Sequence, residues 1–397
     1  MSNDFPAEHP FAPFVRHALN LAERGRWHTA PNPTVGAVLV RDGIVVAEGW
    51  HKAYGGPHAE IECLRDAEAK GIDASQCTMV VTLEPCNHFG KTPPCSRAIE
   101  AAGIKHVVVG FADPNPVAQG GAAYLRSRGV TVDMPVLEAD CRAQIADFLA
   151  WKMEYRPYLV LKLASTLDGR IATRTGHSQW ISGPEARAKV HALRAHMGMA
   201  RGAVLVGGQT LRDDNPQLTA RLASSTQDGA CCKQPLAIVV TQNLPTGPIK
   251  EMPYLIQERA HDCFFITSEE AAQSDAAKHL ESLGVRIVAV PFASSADSTT
   301  VSPKSLDLGH ALHLLHKEYG ILYILCEGGG KLGLSLLSSS LVDEFQLHLA
   351  PKILGDNEAR PLFTGRIPLT MADALGLEIK SMEPCGHDCI MTLRQAR

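Results

Sequence analysis

Apolar and polar positions along the first 140 residues follow two different periods. Residues 13–25 space their apolar side chains three and four apart, as an amphipathic helix does. Residues 35–50 hold two β-branched runs joined by the turn RDG, which predicts a β-hairpin. Further patterns alternate: helices at 58–71 and 95–104, strands at 77–85 and 106–114, and a short helix leading to a strand at 122–132. This alternation predicts an α/β domain with helices layered on a sheet.

A second alternation of strands and helices begins at residue 157. Strand patterns lie at 158–164, 202–208, 236–241, 263–267, 286–290 and 321–326, and helical patterns at 184–197, 269–284 and 309–320. The mostly helical stretch 143–157 is interpreted as the connection, and the small polar segments 223–234 and 293–305 as surface loops. We therefore predict two α/β domains, at 1–145 and 157–397, joined by a connection at 146–156.

Composition supports two domains and narrows the function. A chain of 397 residues exceeds what one hydrophobic core usually serves. A net charge of −4 and a pI near 6.5 argue against non-specific nucleic-acid or membrane binding. There is no apolar run of about 20 residues and no secretory signal pattern. With eleven cysteines, this predicts a reducing, cytoplasmic setting in which paired thiols bind metal.

The stretch TLEPCNHFGKTPPCSRA and the upstream GGPHAE contain the elements of a zinc site. A catalytic zinc takes three protein ligands and keeps one position for water. His58, Cys86 and Cys95 can supply one nitrogen and two thiolates, and Glu60 can move protons to and from the water, whose pKa zinc lowers to about 7. The order H-x-E followed by P-C is the pattern of zinc deaminases, which close it with P-C-x-x-C. Here eight residues separate the cysteines.

The local pattern places these ligands where helices begin. Pro57 and Pro94 suit the first positions of two helices, and the positive end of a helix favours thiolate over thiol. Two other interpretations remain open from the residues alone. The cysteines could be core thiols beside a satisfied histidine, or His88 could complete a closed structural zinc site.

Four stretches together, TAPNPTVGAVLV, GGPHAE, TLEPCNHFGKTPPC and DPNP, resemble the deaminase half of the bifunctional deaminase/reductase family of riboflavin biosynthesis. The long gap between the cysteines is that family's own form of the motif, although relatives often read SHHG where this chain has NHFG. The resemblance implies a cytidine-deaminase-like fold, one Zn²⁺ per chain and a pyrimidine ribosyl phosphate as the small-molecule substrate. The substrate contacts that it implies are Asn32, His51, His88, Lys91, Asp113 and Asn115.

Residues 161–182, 200–221 and 325–355 resemble the reductase half of the same family, which has a dihydrofolate-reductase-like fold and uses NADPH. From the residues alone, the strand at 321–326 followed by EGGG and a helix is a workable phosphate cradle, and equally a tight turn. The implied NADPH contacts are Ala164, Thr210, Asp214, Gly329, Gly330, Lys331, Leu332, Gly333, Leu334 and Ser335. The implied substrate contacts are Lys162, Ser178, Trp180, Arg194, Leu218, Arg221 and Glu327.

The resemblance implies hydride transfer from NADPH to C1′ of the opened ribosylamino group, which leaves a ribityl chain. Lys162 and Glu327 are the candidates for steering protons. Relatives often read DDP where Asp214-Asn215-Pro216 stands, so the role of Asn215 is left open. Near the C-terminus, EPCGHDC offers Cys385, His387 and Cys389, which would share one face of an alternating strand and are interpreted as packing rather than as a metal site.

Two alternatives compete with a bifunctional enzyme. The first is a nucleic-acid base deaminase with a non-catalytic C-terminal domain, against which the acidic pI and the lack of basic clusters argue. The second is a binding or regulatory protein that has lost catalysis, against which the complete ligand set and Glu60 argue. The sequence leaves open whether the chain forms a homo-oligomer.

Overall fold

The computed structural model describes residues 8–89, 93–221, 233–293 and 305–395. The chain divides into two compact units, Met1–Glu154 and Tyr155–Arg397. The division falls inside the connection predicted at 146–156, while the predicted domain limits at 145 and 157 stay predictions. Lys91 and nearly all of the two predicted loops lie outside the described residues.

In its described residues, the first unit consists of a five-stranded mixed sheet and six α-helices. Its strands are β1 (Gly36–Arg41), β2 (Ile44–Trp50), β3 (Thr78–Leu83), β4 (His106–Phe111) and β5 (Thr131–Asp133). Its helices are α1 (Ala12–Glu23), α2 (Ala59–Ala69), α3 (Cys95–Ala101), α4 (Gly121–Ser127), α5 (Glu138–Gln144) and α6 (Ala146–Lys152), with a 3₁₀ turn at Ala74–Gln76. The strand order is β2-β1-β3-β4-β5. β1 runs antiparallel to β2 and β3, and β3, β4 and β5 are parallel.

Two glycines bring helices close to opposite faces of this sheet. A Cβ atom at Gly36 would lie 2.0 Å from the carbonyl oxygen of Ala18 on α1, and one at Gly49 would lie 2.2 Å from the backbone nitrogen of Cys63 on α2. Gly49 pairs with Ala37, the neighbour of Gly36, so the two glycines face opposite sides. α1 and α2 therefore cover opposite faces, and the layered arrangement predicted from the sequence is present.

In its described residues, the second unit contains a nine-stranded sheet and a separate two-stranded ribbon. Its strands are β6 (Tyr158–Thr166), β7 (Arg170–Ala172), β8 (Gly202–Gly207), β9 (Leu236–Val240), β10 (Cys263–Ser268), β11 (Arg286–Val290), β12 (Tyr323–Cys326), β13 (Glu344–Ala350), β14 (Arg360–Pro361), β15 (Leu377–Cys385) and β16 (Asp388–Gln395). The sheet order is β11-β10-β9-β8-β12-β6-β13-β16-β15, with β14 and β7 as a separate ribbon. Strands from β11 to β13 are parallel, and β16 and β15 add an antiparallel edge.

Helices cover both faces of the nine-stranded sheet. They are α7 (Pro184–Met199), α8 (Gly208–Asp214), α9 (Tyr254–Arg259), α10 (Glu269–Ala272), α11 (Asp275–Ser282), α12 (Leu308–Tyr319) and α13 (Gly330–Ser338), with 3₁₀ turns at Ile249–Glu251, Ala260–Asp262 and Met371–Asp373. One core joins Leu159, Leu161 and Leu163 of β6 to the apolar sides of α12 and α13. A second core joins the opposite sides of β8 and β9 to α9 and α11. Along β6, Lys162 alternates with the leucines, so it faces away from the first core.

Two helix predictions were wrong in detail. The helix predicted at 269–284 is two helices, because the hydroxyls of Ser268 and Ser274 each accept a backbone hydrogen bond and start a new helix. The helical stretch predicted at 143–157 is the end of α5 followed by α6, with a break at Ile145 (φ −104°, ψ 26°), and it stops at Lys152 rather than Pro157.

The EPCGHDC run is not one strand. It turns at Gly386 (φ 61°) between β15 and β16, with Cys385 paired with Asp388 and Pro384 with Cys389. Cys385 and Cys389 therefore face opposite sides of the sheet. Their side chains do not gather with His387, and the interpretation as packing rather than as a metal site is consistent with this arrangement. In the described part of the chain, no helix has the length and apolarity needed to cross a membrane.

Candidate active sites

Three metal-ligating side chains of the first unit meet where two helices begin. His58 immediately precedes α2, Cys95 is the first residue of α3, and Cys86 lies in the loop after β3. One ligand atom of each lies within 4.8 Å of the others. The Nδ1 atom of His58 is 3.7 Å from the Sγ atom of Cys86 and 3.3 Å from that of Cys95. The backbone amide of Cys95 also donates to the Cys86 sulfur at 3.4 Å.

This spacing fits zinc. Tetrahedral zinc binds thiolate at about 2.3 Å and imidazole at about 2.0 Å, which places nitrogen and sulfur about 3.5 Å apart. The two observed distances lie on either side of that value. Within the described ranges, no further His, Cys, Asp or Glu belongs to the group. The donor set therefore leaves one coordination position open, which argues against the closed structural site completed by His88.

The two thiols differ in protonation. A hydrogen bond from the Cys95 thiol, helped by His58 and opposed by burial, lowers the pKa of Cys86 to about 4. The pKa of Cys95 is raised, because its proton is held by the Cys86 sulfur and the side chain is buried. The hydrogen bond to Cys86 also raises the pKa of His58. One thiolate thus exists at neutral pH, as an N/S metal site requires.

Glu60 lies in the first turn of α2, beside this group. Its side chain is only 3 % exposed, and this burial raises the pKa of its carboxyl to about 7. A carboxyl whose pKa lies near neutrality can both accept and release a proton at physiological pH. Glu60 therefore has the environment of a proton shuttle.

A cavity of about 340 Å³ opens onto the metal-ligating group and Glu60. Five of the substrate contacts implied by resemblance line it, namely Asn32, His51, His88, Asp113 and Asn115. The sixth, Lys91, lies outside the described residues. Burial raises the pKa of the Asp113 carboxyl to about 6. The tertiary structure thus gathers residues spread over more than eighty positions around one cavity.

The Asn32–His51 pair has a defined protonation pattern. The Nδ1 atom of His51 lies 2.8 Å from the carbonyl oxygen of Pro57, which can only accept, so Nδ1 carries the proton. The Nε2 atom then accepts from the Asn32 amide at 3.2 Å. Burial lowers the pKa of His51, which keeps the ring neutral. This pair therefore fixes the orientation of the Asn32 amide in the cavity.

In the second unit, Arg194 of α7 and Glu327, which follows β12, form a bidentate ion pair. The two nitrogen–oxygen distances are 2.6 and 2.9 Å, and the side chains are 14 % and 13 % exposed. Arg194 also donates to the carbonyl oxygen of Thr219 at 3.1 Å. Burial lowers the pKa of nearby Lys162, while the charge of Glu327 acts in the opposite direction. The three side chains form a largely buried charged cluster.

The glycine-rich turn after β12 leads into α13 as predicted. Gly329 immediately precedes the helix, and a Cβ atom there would meet no atom within 4 Å, so the helix start faces open space. At Gly330, a Cβ atom would lie 1.9 Å from the carbonyl oxygen of Leu362. The first amides of this nine-residue helix have no partner within the helix and can donate to an anion such as a phosphate group.

The remaining implied contacts are spread over several elements. Ala164 lies on β6, Thr210 and Asp214 on α8, and Lys331, Leu332, Gly333, Leu334 and Ser335 on α13. Ser178 and Trp180 precede α7, and Arg221 is an exposed residue after α8. Leu218 is 2 % exposed and packs in the second core, which makes it the least accessible of the set. Asn215 ends α8 in a left-handed conformation (φ 40°) and accepts a hydrogen bond from the Tyr254 amide, so it acts as a helix cap.

Comparison with known proteins agrees with this division. Residues 157–391 match the RibD C-terminal domain, and residues 12–111 match the cytidine and deoxycytidylate deaminase zinc-binding region. The riboflavin biosynthesis protein RibD of Aquifex aeolicus is 36 % identical over 96 % of this chain and 98 % of its own length. The RibD protein of Escherichia coli is 35 % identical with the same coverage. The chain belongs to the RibD family.

Solved structures of this family share the fold of the whole chain. The deaminase/reductase of Thermotoga maritima superposes with a TM-score of 0.73 at 33 % identity, covering 98 % of this chain and 99 % of that one. Acinetobacter baumannii RibD gives the same score at 31 % identity with the same coverage. The family resemblance seen in the sequence is thereby confirmed. The chain is a bifunctional deaminase and reductase of riboflavin biosynthesis, with Zn²⁺ and NADPH as cofactors.

Sequence reasoning missed several residues at the deaminase cavity of this RibD-family chain. Glu84 accepts hydrogen bonds from the backbone amides of Asp113, Gly120 and Ala122, at 3.1, 3.1 and 2.9 Å, and so ties the end of β3 to the segments that follow β4. The sequence did contain a signal for Glu84, because this residue lies two positions before the candidate metal ligand Cys86 in the EPC motif. Phe148 and Lys152 of α6 also line the cavity, although α6 was interpreted only as a connection.

Proposed function

We propose that the chain deaminates 2,5-diamino-6-(ribosylamino)-4(3H)-pyrimidinone 5′-phosphate. It then reduces the ribosyl group to give 5-amino-6-(5-phosphoribitylamino)uracil. One observation carries the proposal: His58, Cys86 and Cys95 converge beside buried Glu60, and His58, Cys86 and Glu60 line one cavity. Support also comes from the Thermotoga maritima protein, which is described as the diaminohydroxyphosphoribosylaminopyrimidine deaminase and 5-amino-6-(5-phosphoribosylamino)uracil reductase.

In the deamination, His58, Cys86 and Cys95 hold the metal, and Glu60 moves the protons. Bound zinc supplies a Lewis acid that activates the attacking water. Glu60 takes a proton from that water and passes it to the departing amine, which its pKa near 7 allows in both directions. The reacting carbon would bind in the part of the cavity that Glu60, His58 and Cys86 line.

Recognition of the substrate is assigned to the remaining cavity residues. The oriented amide of Asn32 forms hydrogen bonds with one edge of the base. Asp113 and Asn115 accept hydrogen bonds from the ribose hydroxyls. Lys152 at the end of α6, which lines the cavity together with His88, supplies positive charge for the phosphate, and we assign the same role to Lys91, which lies outside the described residues. The phosphate needs these positively charged partners, because the cavity lining also contains the acidic residues Glu60, Glu84 and Asp113.

In the reduction, the charged cluster of the second unit handles the sugar. Bound NADPH supplies the hydride, and the start of α13 together with Ala164, Thr210 and Asp214 holds it. Lys162 and Glu327 steer protons at the sugar. Because Arg194 is engaged bidentately by Glu327, we assign Arg194 to orienting that carboxylate and Arg221 to the phosphate.

The purified protein given the diaminopyrimidinone phosphate should release ammonia without NADPH and consume NADPH only afterwards. Glu60→Gln should abolish ammonia release and leave NADPH oxidation intact when the deaminated compound is supplied. Ammonia release that is unaffected by Glu60→Gln would contradict the proposed proton shuttle. Release of ammonia from single-stranded nucleic acid, but not from the small molecule, would instead support the base-deaminase alternative.

That alternative has little support, since the second unit matches the RibD C-terminal domain along its length. We also propose a cytoplasmic location, because the described cysteines are all free thiols and a Cys₂His zinc site needs a reducing environment. A homo-oligomer, which the sequence leaves open, would be measured by analytical ultracentrifugation.

A further inference from the structure

Glu84 is a buried carboxylate in the wall of the deaminase cavity. It is the first residue after β3, and its backbone amide donates to the carbonyl oxygen of Phe111 at the end of β4, at 2.8 Å. The residue is 8 % exposed and lines the cavity together with Cys86 and Glu60. A carboxylate in such a position is costly unless its oxygens accept hydrogen bonds. The sheet therefore fixes the backbone of Glu84, while its two oxygens hold other parts of the chain.

The two oxygens of Glu84 have different partners. The Oε2 atom accepts a hydrogen bond from the backbone amide of Asp113 at 3.1 Å. The Oε1 atom accepts from the backbone amides of Gly120 and Ala122, at 3.1 and 2.9 Å, where α4 begins. One carboxylate thus holds both ends of the segment 113–122, which follows β4 and leads into α4, through charge-assisted hydrogen bonds.

The segment 113–122 forms one wall of the cavity and packs on the metal-ligating cysteines. Three of its residues line the cavity, namely Asp113, Asn115 and Ala118. Ala118 also packs in one apolar cluster with Cys86 and Cys95. The position of this segment therefore affects both the space for the substrate and the surroundings of the metal site.

Close backbone contacts fix the α4 end of this wall. A Cβ atom at Gly121 would lie 1.8 Å from the carbonyl oxygen of Pro85, and the carbonyl oxygen of Ala118 accepts from the Asn87 amide at 2.9 Å. Packed backbone atoms of this kind leave little room for displacement. The wall is therefore held at its α4 end even without Glu84.

The Asp113 end of the wall depends more directly on Glu84. The Asp113 amide donates to Glu84, and the Oδ1 atom of Asp113 accepts from the Asn115 amide at 2.8 Å. The second bond ties the Asp113 carboxylate to its own turn, whereas the first ties that turn to the end of β3. Glu84 therefore sets where the Asp113 carboxylate lies in the cavity.

We infer that Glu84 is a positioning residue of the deaminase site, which holds the Asp113 end of the cavity wall in place for the bound substrate. This inference rests on the proposed deaminase function. Glu84 acts through Asp113 and takes no part in the proton transfers that are assigned to Glu60. Loss of its bond to Asp113 should therefore weaken substrate binding more than it slows the chemical step.

Glu84→Gln in the full-length protein tests this role, because one amide oxygen cannot replace two carboxylate oxygens. The new amide oxygen can keep the two bonds at the start of α4, and its NH₂ group then faces the Asp113 amide, which loses its acceptor. We expect KM for the diaminopyrimidinone phosphate to rise about tenfold, which corresponds to about 1.4 kcal/mol, and kcat to change less than threefold. Zinc should be retained, because the Ser96 amide holds Cys86 separately by donating to its carbonyl oxygen at 3.2 Å.

Glu100→Gln is the matched control, at a carboxylate that also holds α4 but is not among the described residues that line the cavity. Glu100 on α3 accepts a hydrogen bond from the Tyr124 hydroxyl and pairs with Arg128 at 2.8 Å. KM and kcat should be unchanged in this variant. A similar rise in KM would overturn the inference, because any weakening of the contacts of α4 would then have the same effect.

A double-mutant cycle shows whether Glu84 acts through Asp113. In an Asp113→Asn background, Glu84→Gln should raise KM by less than a further factor of about three. Full additivity of the two substitutions would overturn the inference, as would an unchanged KM in Glu84→Gln or loss of zinc from that variant. Wild-type protein that releases no ammonia from the diaminopyrimidinone phosphate would instead overturn the proposed function, so the two failures are distinguishable.

Discussion

The Cys86–Cys95 pair shows how tertiary contacts set the chemistry of single residues. Each cysteine alone is a small buried thiol, but their hydrogen bond moves the pKa of Cys86 down to about 4 and that of Cys95 up. Glu60 changes in a related way, since burial, partly offset by the neighbouring His58, raises its pKa to about 7. Tertiary contacts thus set the protonation of the side chains that would hold the metal and move protons.

Removal of one ligand should empty the site without unfolding the chain. For Cys95→Ser we expect the zinc content to fall from about one per chain to near zero, and ammonia release to fall at least about a hundredfold, because only two strong ligands remain. Metal analysis and an ammonia assay measure the two effects. Cys389→Ala, in a half-buried thiol outside the group, should keep its zinc. Retention of zinc by the Cys95 variant would contradict the ligand assignment.

His348 should make the stability of the second unit sensitive to mild acid. This fully buried ring has no hydrogen-bond partner for either nitrogen among the described residues, and burial lowers its pKa from 6.5 to about 3. Between these values the unfolded chain binds a proton that the folded chain does not, so stability is present above pH 6.5 and lost as the pH falls. From pH 7 to pH 5 the loss from this group is about 2 kcal/mol.

The corresponding measurement is denaturant unfolding of wild type and His348→Phe at both pH values. Any cost of the substitution that does not depend on pH cancels when the free energy of unfolding at pH 5 is subtracted from that at pH 7. We expect the variant to lose about 2 kcal/mol less than wild type over this interval. Equal losses in the two proteins would show that His348 does not titrate as described.

At the scale of elements, the metal site depends on where α2 starts. α2 carries Glu60, follows His58 directly, and lies against β2 at Gly49, where a Cβ atom would be 2.2 Å from the backbone of Cys63. Because backbone atoms cannot yield as a flexible side chain can, this contact sets the height of the helix above the sheet.

Gly49→Ala should therefore displace α2. We expect a loss of about 2 kcal/mol in the stability of the first unit and a large drop in ammonia release, since His58 and Glu60 move with the helix. NADPH oxidation with the deaminated substrate should be unchanged. Gly309→Ala on α12, where the nearest atom would lie 3.4 Å away, is the control and should be nearly neutral. Full deaminase activity in the Gly49 variant would argue against this coupling.

Elements were predicted well where the pattern was long and periodic, as in α1, α12, the strands of the first sheet and the strands β6 and β8 to β12 of the second. Strands β13 and β15 were not predicted, and the other errors fell at breaks and turns. Ser274 lies inside the helix predicted at 269–284, but its hydroxyl accepts a hydrogen bond from the backbone amide of Ala277 and starts a new helix. Gly386 likewise divides EPCGHDC between two strands, because its positive φ allows a tight turn.

At the scale of the whole molecule, the chain consists of two units with separate chemistry. The zinc group and its cavity lie in Met1–Glu154, and the Arg194–Glu327 pair and the α13 turn lie in Tyr155–Arg397. Each unit has its own sheet and core. The two activities should therefore respond independently to removal of one cofactor.

Chelation of zinc should abolish ammonia release and leave NADPH oxidation on the deaminated substrate at its original rate. The first unit should also melt at a lower temperature, because zinc at a thousandfold excess over its Kd stabilises the folded state by about 4 kcal/mol. Calorimetry with and without chelator, followed by zinc addition, measures this shift and its reversal. A parallel loss of both activities would contradict independent units.

The sequence by itself predicted two α/β domains and a set of candidate zinc ligands, and its motifs identified the family. Periodicity depends only on residues that are neighbours in the sequence. The zinc-deaminase pattern is recognised from the types and order of four residues, His58, Glu60, Cys86 and Cys95. Only the tertiary structure decided which other residues share the cavity. Glu84 follows β3, and Phe148 and Lys152 lie on α6, and no sequence spacing relates these positions to the zinc-ligand motif. It also decided protonation, since burial and neighbouring charges, which set pKa values, exist only once the chain is folded.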